Sequence, residues 1–119
     1  MSISIMGAGA FGTSLAISLG LGGKPVTLWA RDADSVQTMQ SIRVNTSRLP
    51  GAKLPDIISV TSEFAELKGD IVLLAVPMQK LRYALESAPN LHNKTLVACC
   101  KGIELTTGDG PVELIRSVA

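Results

Sequence analysis

The sequence predicts a doubly wound parallel sheet of the α/β class, and three observations predict it. Short β-branched or aliphatic runs recur along the 119 residues, each followed by a longer segment with helical spacing. The strand-like runs are apolar on both faces, as strands covered by helices on both sides must be. The first run also leads into Gly7, Gly9 and Gly12, a G-x-G-x-x-G spacing placed between a strand and a helix.

In chain order, "ISIM" reads as the first strand, residues 10 to 21 as the first helix and "VTLWA" as the second strand. Asp32 suits the N-cap of a second helix that runs to about Arg43. "IISV" follows as a third strand and "SEFAELK" as a short helix. "DIVLLAV" is the fourth strand, Met78 to Ser87 a packing helix with Leu81 and Leu85 on one face, and "TLVACC" the fifth strand. Right-handed crossovers then give the expected strand order 3-2-1-4-5. One segment interrupts the alternation. "VNTSRLPGAKLP" carries two prolines, a glycine and polar residues, which make a helix or strand improbable and a long functional loop the expectation.

A chain of this length, 46% hydrophobic with a mean hydropathy of +0.33, is large enough for one core, so residues 1–119 are expected to form a single domain. A net charge of +1 argues against a nucleic-acid or membrane-surface partner. No basic leader precedes the strand that begins at Ser2, and the longest apolar stretch, Ile71 to Val76, is too short to cross a bilayer; a cytoplasmic protein is expected. Cys99 and Cys100 are neighbours and would face opposite ways in a strand, so they read as two buried thiols rather than a disulfide or a metal pair. The acceptor patterns at Asn45 and Asn93 carry no meaning without a secretory signal.

The glycines have separate tasks. Gly7 can adopt the backbone angles of a tight turn, Gly9 leaves room for a phosphate beside the backbone, and Gly12 removes a side chain where helix meets strand. Free N–H groups near Ala10 to Thr13 would then face an anion with the helix dipole behind them. That arrangement is a pyrophosphate cradle, so a dinucleotide-binding domain of Rossmann type is expected.

About twenty positions past the glycines, such a fold meets the adenosine ribose. Arg31 stands there, and a guanidinium facing a 2′-phosphate makes charge-assisted bonds of about 1.5–3 kcal/mol. NADP is therefore the preferred cofactor, with NAD second. Asp32 leaves two readings open: it either caps the second helix or bonds the ribose hydroxyls of NAD. Pro77 closes the fourth strand on a turn near the cofactor, and His92, the sole histidine, reads as a surface residue without a carboxylate partner.

The segments "GAGAFGTSLA", "TLWAR", "NTSRLPGAKLP", "LLAVP" and "CKGIE" together resemble, in order and spacing, the N-terminal domain of bacterial NAD(P)-dependent glycerol-3-phosphate dehydrogenase. The likeness spans nearly the whole chain. It implies an oxidoreductase that reversibly transfers hydride between NAD(P)H and dihydroxyacetone phosphate, giving sn-glycerol 3-phosphate for phospholipid synthesis. It also implies that Ala10 and Phe11 lie against the pyrophosphate and cofactor rings, Arg31 against the adenosine end, and Arg48 beside the cofactor. Lys101 is implied to reach both the nicotinamide side and the substrate.

There are departures from the resemblance: Cys100 stands where relatives commonly carry serine or threonine, and Ala10 and Phe11 where they commonly carry serine and tryptophan. Phe11 keeps an aromatic platform. Family members run much longer and carry the catalytic lysine in a second, helical domain, whereas this chain stops at Ala119 inside the helix-like "PVELIRSVA". A fragment that binds cofactor without turning over substrate is therefore expected, with an exposed apolar face open to association as a homo-oligomer. Two alternatives share the glycine turn: the cofactor domain of another hydroxy-acid or sugar-acid reductase, and a non-catalytic dinucleotide-binding module. A methyltransferase would place an acid where Arg31 stands.

Overall fold

The computed structural model describes residues 2–88, 91–100, 102 and 104–118. Five strands, β1 (Ile3–Met6), β2 (Val26–Trp29), β5 (Ile58–Thr61), β6 (Ile71–Leu74) and β7 (Thr95–Ala98), form one sheet in the order β5-β2-β1-β6-β7, with every pairing parallel. This is the doubly wound order expected from the alternation of runs. Among the described residues, the α-helices α1 (Ala10–Leu21), α2 (Ala33–Ile42), α3 (Met78–Ser87) and α4 (Pro111–Val118) accompany it.

Adjacent residues of a strand face opposite sides, and the core divides accordingly. Ile5 and Leu28 pack with Ala16 of α1 and with Val36 and Met39 of α2 on one face. Met6 and Leu74 pack with Leu81 and Leu85 of α3 and with Leu114 of α4 on the other. The register decides where the site lies. Ile3 pairs with Val26 on one side and Ile71 on the other, and Met6 with Trp29 and Leu74, so three strands end level. The turns that follow them are thus brought side by side at the carboxyl edge of the sheet.

The segment expected to be a loop is instead a hairpin. β3 (Val44–Asn45) and β4 (Leu49–Lys53) pair antiparallel, Val44 with Lys53 and Asn45 with Leu49, with a shift of register between them. Pro50 and Gly51 are accommodated because this sheet has only two strands, and a proline on an edge forfeits no ladder bond. Arg43 turns the chain into the hairpin in a left-handed conformation (φ 60°), and its guanidinium donates to the carbonyls of Pro55 at 2.7 Å and Ile58 at 2.6 Å. The expected "SEFAELK" helix shortens to a single 3₁₀ turn at Phe64–Glu66, where Phe64 stacks on Trp29 with ring centroids 4.7 Å apart. Strands two, four and five end earlier than expected, at Trp29, Leu74 and Ala98. Beyond those points the chain turns toward the site. Among the described residues, no helix is long and apolar enough to cross a membrane.

Candidate functional site

The turn between β1 and α1 separates the three glycines by what surrounds them. Gly7 has φ 118°, its N–H donates to the Trp29 carbonyl at 2.9 Å, and a Cβ there would lie 2.7 Å from the Ala75 carbonyl group. A Cβ on Gly12 would collide with the carbonyl oxygen of Gly7, so the first turn of α1 packs directly on the strand end. Gly9 differs from both, because a Cβ built there meets no atom within 4 Å. The fold therefore requires glycine at positions 7 and 12 but leaves position 9 open, facing a cavity.

Gly9 is the N-cap of α1, and no side chain caps the helix. The Thr13 N–H, expected among the free donors, is instead committed to the Gly9 carbonyl at 3.0 Å. The N–H groups of Ala10, Phe11 and Gly12 precede the helical ladder and stand at its positive end. No acidic residue occupies this first turn.

Above the turn lies a cavity of about 670 Å³, within the range of small-molecule sites. Gly7, Gly9, Ala10, Phe11 and Gly12 form one wall, and Arg31, Arg48 and Pro77 also line it. Eight sequence-predicted positions are thereby brought together. Lys101, the ninth, and the side chain of His92 lie outside the described residues. Phe11 is 58% exposed, an unburied ring at the mouth. Among the described lining residues, Arg31, Arg48 and Lys80 are cationic and Asp32 alone is acidic, so the walls favour an anion.

Asn45, which sequence reasoning missed, ties the hairpin to the glycine turn. Its Nδ2 donates to the Ala8 carbonyl and to Thr13 Oγ1, both at 2.8 Å, and Asn45 and Thr13 are buried. The same hairpin carries Arg48 to the cavity wall. The one available signal was a polar residue beside Val44 at the start of that segment, and its glycosylation-like context pointed elsewhere.

On the cavity wall, Arg31 places its guanidinium over the ring of Tyr83, with Cζ 5.6 Å from the centroid. Asp32 resolves to the N-cap of α2: Oδ1 accepts from the Asp34 N–H at 3.1 Å and Oδ2 from Ser35 Oγ at 2.8 Å. The Ser35 bond, followed by that of Asp34, holds its carboxyl below the usual value. The cysteines correct their expectation. They lie past β7 rather than within it, half-buried and free, and both line the cavity. Cys100 Sγ lies 3.2 Å from the Leu74 carbonyl, to which it donates. Burial, with Cys99 a lesser cause, pushes the Cys100 thiol up to about 11, and burial also raises Cys99.

The end of the "CKGIE" segment is anchored to α3. Arg82 donates to Glu104 from Nε at 2.9 Å and from Nη2 at 3.0 Å, and Thr107 Oγ1 donates to the same carboxylate at 2.7 Å. Glu104 is 6% exposed, and Arg82 foremost, then Thr107, hold its carboxyl below the ordinary value. Among the described residues, no group of three or more His, Cys, Asp or Glu could hold a metal ion.

The family model described as the N-terminus of NAD-dependent glycerol-3-phosphate dehydrogenase matches residues 2–119. A glycerol-3-phosphate dehydrogenase [NAD(P)+] of Roseobacter denitrificans is 59% identical over 99% of this chain, and one of Ruegeria sp. is 56% identical over 98%. This chain spans 37% of the length of each. The crystal structure of glycerol-3-phosphate dehydrogenase from Coxiella burnetii superposes with a TM-score of 0.88 at 26% identity, over 98% of this chain and 37% of that one.

Proposed function

Because the chain belongs to the family of NAD-dependent glycerol-3-phosphate dehydrogenase N-terminal domains, we propose that its cavity seats a nicotinamide dinucleotide, NADP in preference to NAD. On this reading residues 1–119 are the cofactor domain of an oxidoreductase that interconverts dihydroxyacetone phosphate and sn-glycerol 3-phosphate. The observation that carries the proposal is Gly9, the one glycine of the turn whose missing side chain clears space for a ligand rather than for the protein.

The residues fit such a group. The N–H groups of Ala10, Phe11 and Gly12 hold the linked phosphates, and the exposed Phe11 ring offers a face to the cofactor. Arg31 meets the 2′-phosphate; Arg48 and Lys80 add positive charge, and Pro77 shapes the facing turn. The nicotinamide, when bound, supplies the hydride. Lys101 comes three positions after Ala98, the last residue of β7, in the sequence, and its ammonium is assigned to the substrate phosphate or carbonyl. Remaining substrate contacts and turnover are assigned to the longer protein of which the relatives are examples. Free thiols at Cys99 and Cys100 fit a reducing, cytoplasmic setting.

Titration of the chain with NADPH and NADH, followed by nucleotide fluorescence, tests the cofactor assignment. Saturable binding with NADPH tighter is expected, with the preference lost in Arg31→Ala; absence of binding by either nucleotide contradicts it. Reduction of dihydroxyacetone phosphate by a protein of the relatives' length tests the reaction.

A further inference from the structure

We propose that Tyr83 is a positioning residue for cofactor selectivity: its ring holds the Arg31 guanidinium at the mouth of the cavity, ready for a 2′-phosphate. The inference rests on the dinucleotide reading above. Arg31 follows β2 and Tyr83 belongs to α3, so the contact bridges two elements of the cavity wall that both residues line. At 5.6 Å from Cζ to the ring centroid, the pair lies within the reach of a cation–π attraction.

Packing does not account for an aromatic residue here. Helix α3 buries Met78, Leu81, Ala84 and Leu85, whereas Tyr83 is 54% exposed and belongs to neither core cluster. Nor does a carboxylate hold Arg31 in place: among the described residues, Arg82–Glu104 is the ion pair, and the adjacent Asp32 is engaged with Asp34 and Ser35. Left to itself, an exposed arginine samples many rotamers and loses that freedom on meeting a ligand. The Tyr83 ring restricts the guanidinium beforehand. The benefit goes to NADPH and not to NADH, because only the former carries the phosphate that Arg31 is placed to meet.

Titrations of the chain with NADPH and with NADH, in Tyr83→Ala, Tyr83→Phe, Arg31→Ala and the Tyr83→Ala/Arg31→Ala pair, test this. Tyr83→Ala is expected to weaken NADPH about two- to fivefold and leave NADH unchanged. Tyr83→Phe, which keeps the ring, should behave as wild type, and Tyr83→Ala should add nothing once Arg31 is removed. Equal weakening of both nucleotides would overturn the inference by showing that the ring acts on a shared part of the ligand or on the helix. Unchanged NADPH affinity in Tyr83→Ala, or a loss in Tyr83→Phe, would also overturn it. Wild-type binding with an inert Tyr83→Ala leaves the dinucleotide reading standing, whereas a wild-type chain that binds neither nucleotide removes both.

Discussion

The Asn45 amide nitrogen lies 2.8 Å from the carbonyl oxygen of Ala8, 37 positions away in sequence, and through it the β3–β4 hairpin is fastened to the glycine turn. The same nitrogen reaches Thr13 Oγ1 at 2.8 Å, inside the first turn of α1. Asn45→Ala leaves the Ala8 carbonyl and a buried hydroxyl without this donor, and a cost of about 1–3 kcal/mol is expected. Urea unfolding should show a lower midpoint with an unchanged slope. Because Arg48 rides on the same hairpin, NADPH affinity should fall as well.

The glycine turn allows stability and binding to be separated. Gly9→Val places a branched side chain in open space, so the chain should fold with a near wild-type melting temperature and lose NADPH binding. Gly12→Ala sets a methyl group against the Gly7 carbonyl oxygen and should destabilise the fold by about 1–3 kcal/mol, as overpacking does. Thermal melts and nucleotide titrations of both variants check the pair. Loss of folding in Gly9→Val, or its full retention in Gly12→Ala, would contradict this division.

Much of this architecture was legible in the sequence because one physical pattern repeats. Runs such as "IVLL" are apolar on both faces and need cover on both sides, and helical segments follow them, so the parallel order was readable before any contact was known. That the glycine turn and Arg31 line one cavity was legible for the same reason, since position relative to a strand end determines which residues are brought together. The hairpin was not legible. Pro50 and Gly51 look like breakers, and they are tolerated within β4 because both strands of a two-stranded ribbon are edges. Asn45 was missed because its importance lies in a contact with distant Ala8, and Tyr83 because an exposed aromatic on a packing helix has no pattern of its own. The paired thiols were misplaced because β7 stops at Ala98, two residues earlier than its apolar run suggested.

The Glu104 carboxyl is held below its ordinary value of 4.5 by Arg82 first and Thr107 second. A depressed carboxyl contributes stability that is fully present above the unfolded pKa and is lost as pH falls through the lower folded value. Wild-type stability should therefore decline below about pH 4.5 more steeply than that of Glu104→Gln, which has lost the ion pair and is weaker at neutral pH. Urea midpoints measured from neutral pH down to about pH 3 read this out. Parallel pH profiles would contradict the role assigned to the pair.

Cys100 should be a slow nucleophile despite its place on the cavity wall. With its thiol pushed from 9.0 to about 11, the thiolate at pH 8 is about a hundredfold scarcer than in an unperturbed cysteine. Iodoacetamide labelling followed by mass spectrometry should find Cys99 modified well before Cys100, with Cys100 gaining reactivity only as pH rises toward the shifted value. Preferential labelling of Cys100 at pH 8 would contradict its burial and its bond to Leu74.

The central claim is that the start of α1 is an open seat for the linked phosphates of a dinucleotide. At 12.5 kDa the chain suits amide-resolved NMR, and titration of the wild-type chain with NADPH is the direct test. The account predicts that the amides of Ala10, Phe11 and Gly12 shift most and saturate together, and that Gly9→Val abolishes those shifts while its spectrum stays that of a folded protein. Saturable NADPH binding that leaves these three amides unmoved, or that persists in Gly9→Val, would contradict it.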